Sequence, residues 1–476
     1  FQIMLSTLNY KIDFPGVCYY NQIDVWKGLC PNPNLLFKSV DLNYTNDKSD
    51  DELINYRKKH LGKSLKLHYE EPINIVRGEG VYLISKNGRK YLDTINNVAH
   101  VGHENESVVI EGQNQMSILN TNSRYLHKSI NELAEEIIQT LPEKLNVIHF
   151  VNSGSEANEL AVRMMKSHTG SNDIIVSENG YHGNTNICVD ISSYKFDGKG
   201  GKGAPENTHV IPMPTKFNGK HKGEEACEGY INEIKNSIKN LKSKCRDLGG
   251  FIIEPIISCG GQVELPDGFL KTAYDLIREN GGICISDEVQ VGCGRLGESF
   301  WGFELHDVIP DIITIGKPLG NGHPIGAVVC TSEIAESFAN GMEFFNTFGG
   351  NPVSCSIATQ VLKVIKNENL QKNAKTIGNY FKNELKNLSD KYDIIGDVRG
   401  QGLFLGIEFV DHKMNPLFRE TKYIVNRLKD FGILASLDGP NNNVIKIKPP
   451  LIFNKDNCDT FIFYLNKILE EDFLNK

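Results

Sequence analysis

The feature that most constrains this chain is an alternation. Between residues 106 and 345, short apolar runs take turns with longer stretches of helical period. Runs at 147–151, 174–176, 251–253, 282–286, 312–315 and 327–330 read as strands buried on both faces. Helical patterns at 131–140, 156–168, 228–241 and 269–280 stand between them. Such an order predicts an α/β fold, a mostly parallel sheet covered by helices. After residue 351 come two long helical patterns, a strand region at 403–410, another helix and a final strand at 444–448, which read as a smaller α/β unit. Ahead of the alternation, 78–93 reads as a hairpin around Asn87-Gly88, a pair that suits a type I′ turn. The expected division is an extension at 1–46, an N-terminal segment at 47–105 that carries the hairpin and joins the small domain, a large domain at 106–345 and a small domain at 346–476.

Bulk properties narrow the function. A formal net charge of −8 without a basic stripe argues against nucleic acid as a partner. No run of about 18 apolar residues occurs, so no membrane-spanning helix is expected. The eleven cysteines form no CxxC pair and read as reduced thiols of an intracellular protein. Neither they nor any HExxH asks for a metal. The sequence opens on Phe1, so an upstream segment is expected, and residues 1–46 do not resemble an Arg-rich transit peptide. The Lys/Gly-rich stretch at 195–203 reads as a solvated loop.

Four elements carry chemistry. The run 311–315 ends in Gly316-Lys317-Pro318. Open α/β sheets bind ligands beyond the carboxyl ends of their strands. A partly desolvated lysine there can form an imine with an aldehyde, although a lysine at a strand end can also simply snorkel to water. The run 282–286 ends in Asp287-Glu288-Val289-Gln290. A buried acid needs a partner, and the protonated ring nitrogen of pyridoxal phosphate is one; Gln290 could bond the ring hydroxyl. A helix N-cap is the plainer role for Asp287. Third, Ser153-Gly154-Ser155-Glu156 follows a strand and opens a helix, with Ser153 and Glu156 in capping-box spacing. Its free N–H groups suit a phosphate, and an ordinary capped helix would look the same. Fourth, Tyr181-His182 follows another strand, where an aromatic can stack on a flat ring.

Together and in this order, the four resemble the class III (ω-type) aminotransferases of the fold-type I pyridoxal-phosphate superfamily. The strings GEGVYLISKNGRKYLD, VNSGSEANELA, ISDEVQVGCGRLG, DIITIGKPLGNGHP, FNTFGGNP and GDVRGQGLFLG carry the likeness over about nine-tenths of the chain. The resemblance implies pyridoxal 5′-phosphate as cofactor and Lys317 as its Schiff-base residue. It assigns Asp287 to the ring nitrogen, Gly154 and Ser155 to the phosphate and Tyr181 to a stack on the ring; Ser153 and His182 are further cofactor-binding candidates beside them. Thr347 would reach the cofactor of a neighbouring subunit, which implies a homodimer with sites at the interface. INNVAHVGH, LNTNSRYLH, ISSYKF and LDGPNNNVIKIKPPLIF resemble the phospho-lyase branch of the class. Its members eliminate phosphate from ethanolamine phosphate or 5-phosphohydroxylysine; the next branch holds the alanine–glyoxylate transaminases.

Many ω-aminotransferases place a Glu five residues after the position of Glu254, where it masks the Arg at the position of Arg399. Here that place is Cys259. The resemblance thus implies an unmasked Arg399 that holds a substrate anion, with Arg124 as a second cation; a structural ion pair is the plainer role for Arg399. Glu104 and Glu106 depart from the class pattern close to the expected site. Three readings follow: a phospho-lyase acting on a phosphorylated amine, ethanolamine phosphate first; a transaminase of the alanine–glyoxylate type; and a non-enzymatic relative, which the intact Lys317, Asp287 and Gln290 disfavour. The resemblance implies a mitochondrial location, with cytoplasmic as the alternative.

Overall fold

The computed structural model describes residues 48–474, so the extension at 1–46 lies outside the described residues. A first sheet is built from β1 (Ile75–Glu79), β2 (Tyr82–Ser85) and β3 (Lys90–Asp93) as an antiparallel meander. The β2–β3 turn corrects the expected type I′. Gly88 has φ +81° while Asn87 keeps a negative φ, and the Gly88 N–H donates to the Ser85 carbonyl at 2.8 Å. This is the three-residue loop with a left-handed glycine at its end. Asn87 stays right-handed and accepts from the Ser85 hydroxyl at 2.6 Å.

The large sheet contains β4 (Val147–Val151), β5 (Asp173–Ser177), β6 (Thr208–Ile211) and β7 (Leu248–Ile253). A small ribbon, β8 (Ile256–Ile257) with β9 (Val263–Glu264), leaves β7 before the chain returns as β10 (Ile283–Asp287), β11 (Ile312–Ile315) and β12 (Gly326–Cys330). Its order is β4-β12-β11-β10-β7-β5-β6. Only β12 runs against the rest. The expected mostly parallel α/β layer is thus present. β5, β7, β10, β11 and β12 are buried at every residue, as strands of a sheet covered on both faces must be. β6 was not legible in the sequence: it is an edge strand of four residues, Thr-His-Val-Ile, half exposed.

A third, antiparallel sheet has the order β13-β14-β17-β16, from β13 (Ile395–Gln401), β14 (Phe404–Phe409), β16 (Ser436–Asp438) and β17 (Val444–Ile447). Between β14 and β16, β15 (Ile433–Leu434) joins the first sheet beside β3, so the N-terminal and C-terminal segments share a sheet. The helices Leu370–Lys391 and Lys455–Leu469 pack on each other, and the former also packs on β13. The C-terminal helix is a further element beyond the expected final strand. Among the described residues, no helix is long and apolar enough to cross a membrane.

Candidate active site

Because β4, β5, β7, β10 and β11 run the same way, their carboxyl ends open on one edge of the sheet. A cavity of about 290 Å³ lies there. Ser153, Gly154, Ser155, Tyr181, His182, Asp287, Gln290 and Lys317 all line it. Lys317 opens a single 3-10 turn, Lys317–Gly320, directly after β11.

Asp287 caps no helix here; its carboxylate gathers three N–H groups. Oδ1 accepts from the Val289 amide at 3.1 Å, and Oδ2 faces Asn158 Nδ2 and His182 Nδ1, both at 2.8 Å. Asn158 is itself fixed, because its Oδ1 accepts from the Thr314 hydroxyl at 2.7 Å. Such a lattice fixes the orientation of the carboxylate. Sequence reading quoted Asn158 within the helix-opening string but gave it no role of its own. Its signal was its place on the buried face of the helix Gly154–Thr169, one turn from Ser153.

The start of that helix departs from the capping-box reading. Ser153 Oγ accepts from the Glu156 amide at 3.1 Å as an N-cap, but the Glu156 carboxylate turns to the amide and side chain of Asn152 and to Asn346 instead. Glycine brings the surrounding loops together. A Cβ on Gly154 would lie 2.6 Å from Val289, one on Gly183 (φ +137°) 2.6 Å from Ser155 Oγ, and one on Gly316 3.1 Å from Gly154. Tyr181 meets Tyr194 edge-on at 5.6 Å, with Lys195 Nζ 5.4 Å from the Tyr181 ring, so the Lys/Gly stretch begins beside the site. Burial pushes the Tyr181 hydroxyl up to about 12 and keeps it protonated.

Gln290 is tied on one side. Its Oε1 accepts from Asn97 at 2.7 Å and from Lys448 Nζ at 3.3 Å, which leaves its amide N–H groups for a ligand. Lys448 is buried, and Gln290 is the one hydrogen-bond acceptor at its ammonium among the described residues. Burial first, then the charge of Lys446, presses its pKa down to about 7. Lys446, two residues back on β17, faces Asp438 at 3.5 Å. Both lysines stand near Cys259, whose thiol burial pushes up to about 12. Sequence reading quoted the string that holds this pair as phospho-lyase-like but gave neither lysine a role. The signal was Lys-Ile-Lys, two cations two apart on a strand and hence on one face.

Arg399 corrects the sequence expectation. It is not unmasked: its guanidinium meets Asp397 at 2.8 Å and Glu408 at 2.6 Å, and Nε donates to the Gly261 carbonyl at 2.7 Å. The β13–β14 register sets Asp397 opposite Glu408, so an arginine two residues further along the same face reaches both. Arg124 lies on the surface, paired with Glu343 at 2.9 Å and stacked 3.9 Å over Phe345, outside the cavity lining. Thr347 is exposed and also outside that lining. Glu104 pairs with Arg77 at 2.8 Å, and Glu106 is exposed at a helix start; neither lines the cavity.

Pyridoxal phosphate asks for an amine for its aldehyde, an acid for its ring nitrogen and amide donors for its phosphate. Lys317, Asp287 and the Gly154 helix start supply these around one cavity, and the glycines keep Cβ atoms out of it, so the residues present fit the group. Fold and site together define a fold-type I pyridoxal-phosphate enzyme. More narrowly, the chain belongs to the class-III aminotransferase family, whose model matches residues 66–469. It is 44% identical over 431 residues to a Drosophila melanogaster protein named alanine–glyoxylate aminotransferase 2-like, covering 88% of this chain and 87% of that protein. It is 37% identical over 440 residues to Caenorhabditis elegans ethanolamine-phosphate phospho-lyase homolog 1, covering 89% and 94%. Among solved structures, an Arthrobacter phospholyase in complex with phosphoethanolamine superimposes with a TM-score of 0.84 at 35% identity, covering 88% of this chain and 99% of that one.

Proposed function

We infer that the protein is a phospho-lyase that eliminates phosphate from a phosphorylated amine, with ethanolamine phosphate ahead of 5-phosphohydroxylysine. The observation that carries this reading is Lys448 with Lys446: two lysines outside the cavity lining itself, of which the buried Lys448 has Gln290, a lining residue, as the single acceptor at its ammonium among the described residues. A buried cation with unused donors is costly unless an anion completes it. The family strings and the relatives named as phospho-lyases support the same reading. The correction at Arg399 moves the anion-holding role to these lysines.

When bound, pyridoxal phosphate draws electrons away from the carbon that bears the substrate's amine. Lys317 holds the cofactor and then takes the proton from that carbon. Asp287, fixed by Asn158 and His182, keeps the ring nitrogen charged. As the C–O bond breaks and its electron pair leaves with the phosphate, Lys448, one hydrogen bond from the lining residue Gln290, and its neighbour Lys446 are the cations assigned to the growing charge; donors aimed at such charge act most strongly in the transition state. Addition of water to the remaining two-carbon unit gives acetaldehyde and ammonia. The exposed Thr347 and the apolar surface around it support a homodimer with sites completed across the interface.

The test is phosphate release from ethanolamine phosphate by the purified holoenzyme with no keto acid present. Phosphate, ammonia and aldehyde should appear in equal amounts, and Lys317→Ala should lower the rate by about 10³-fold or more. No phosphate from either phospho-amine, together with alanine–glyoxylate exchange, would replace this reading with the transaminase one favoured by the Drosophila relative's name.

A further inference from the structure

Between β3 and the helix Glu106–Ile118 the chain forms a loop that is closed at its neck. Asp93 Oδ2 meets His103 Nε2 at 2.7 Å, and Asp93 Oδ1 accepts from the amides of Ile95 at 3.1 Å and Asn96 at 3.0 Å. The middle of the loop is seated on Arg295, which is fully buried. Nη1 of Arg295 donates to the carbonyls of Leu403 at 3.0 Å and Pro449 at 2.7 Å. Nη2 donates to His100 Nδ1 at 3.1 Å and faces the Asn97 carbonyl at 3.5 Å. A guanidinium only donates, so His100 accepts at Nδ1 and carries its proton at Nε2, which meets the Cys293 carbonyl at 2.7 Å. No carboxylate forms an ion pair with Arg295 among the described residues. A buried cation without a counter-ion is costly. This one joins three segments of the chain through its fork, which no apolar side chain could do.

Seated in this way, the loop brings the buried Asn97 to Gln290. Gln290 Oε1 takes two donors, Asn97 Nδ2 at 2.7 Å and Lys448 Nζ at 3.3 Å. The main chain at both donors hangs on the same guanidinium, through the carbonyl of Asn97 itself and that of Pro449 beside Lys448. An ammonium only donates, so the Gln290 atom that Lys448 meets is the oxygen, and Asn97 must turn its own amide nitrogen to that oxygen. Gln290 Nε2 has no hydrogen-bond partner among the described residues, and Gln290 lines the cavity.

We propose that Asn97 is a positioning residue: held by the loop on Arg295, it fixes the Gln290 amide with its N–H donors toward the cofactor. This wall of the cavity then offers a donor only, matched to an acceptor oxygen on the ring of pyridoxal phosphate. A glutamine free to turn would present its oxygen half the time, and two acceptors face to face repel. Fixing the amide in advance removes that cost from binding.

A double-mutant cycle on cofactor binding tests this. Equilibrium dialysis gives the cofactor's dissociation constant for the wild type, Asn97→Ala, Gln290→Ala and the double variant, with near-ultraviolet circular dichroism as the check of folding. Asn97→Ala should raise the constant about 3- to 10-fold, the worth of one oriented hydrogen bond. In the Gln290→Ala background the same change should have no effect, because Asn97 acts through that amide alone. Asn97→Asp keeps the shape and replaces the donor by an acceptor. It should weaken binding at least as much, again only with Gln290 present, and it serves if the alanine variant does not fold. Equal weakening in both backgrounds is what a merely structural loop would give. That result, or wild-type affinity in the folded Asn97 variants, overturns the proposal. No substrate is used, so the outcome is independent of whether the enzyme eliminates or transaminates.

Discussion

Lys448 and Arg399 show how little a residue's type says about its role until its neighbours are known. Arg399, a permanent cation, is neutralised by two carboxylates within 2.8 Å. Lys448 has Gln290 as its acceptor and a pKa pressed to about 7, chiefly by burial. If Lys448 holds the substrate phosphate, it must be protonated to do so. A group that loses its proton above about 7 weakens anion binding as pH rises, so KM for the phospho-amine should climb above neutrality, approaching about tenfold per pH unit. Lys448→Arg, which stays charged at all accessible pH, should flatten that climb. Lys448→Met should raise KM by about 10- to 100-fold below neutrality, the worth of one charge-assisted hydrogen bond, and the gap to wild type should close as pH rises. Initial rates of phosphate release against pH decide this, and a wild-type KM that stays flat would refute it.

At the scale of elements, the site depends on close approach between a helix start and two strand-end loops. The helix Gly154–Thr169 begins against Val289, three residues after β10 reaches Ser286, and only a hydrogen at the Gly154 α-carbon leaves room. Gly154→Ala places a methyl group 2.6 Å from a buried valine side chain. The helix itself should survive, since alanine is the better helix former. Its first turn must shift away from the cavity and take its amide donors with it. Far-ultraviolet circular dichroism should therefore be unchanged while the cofactor's dissociation constant rises about 10- to 100-fold, the loss of one or two charge-assisted amide bonds. Wild-type affinity in equilibrium dialysis would show that this contact does not position the phosphate donors.

At the scale of the whole molecule, large apolar side chains lie exposed in neighbouring segments: Met116, Ile118 and Leu119 where one helix ends, Tyr125 and Leu126 after it, and Met342 and Phe348 near Thr347. Arg124 joins two of these segments through Glu343 and Phe345. The helix Pro352–Asn367 packs against Glu106–Ile118, so these stretches share one side of the molecule. Apolar surface gathered in this way suits the proposed homodimer, in which a second copy of the chain would bury it by two-fold symmetry. The wild type should sediment as a dimer. Phe348→Glu should shift it toward monomer and lower activity in parallel, because the Thr347 segment would lose its place at the neighbouring site. A fully active monomer would contradict the composite site.

The periodicity of the chain determined the large sheet. Strands buried on both faces must be continuously apolar, and β10, β11 and β12 stood out for that reason. The same logic exposed Lys317 and Asp287, polar residues directly at the ends of such runs. Where apolarity is diluted the sequence was silent: β13, with Asp397, Arg399 and two glycines, is a strand because β14 pairs with it. The hairpin turn was legible as a turn but not as its type, which depends on the φ that Asn87 adopts within the meander. Only the tertiary structure decided which cations are neutralised. Strand register brings Glu408 across to Arg399, and the meeting of β17 with the β10 loop sets Lys448 against Gln290. Contacts between segments 158 residues apart, as in that last pair, leave no periodic trace in the chain, because each segment's pattern reports only which face is buried and not what it is buried against.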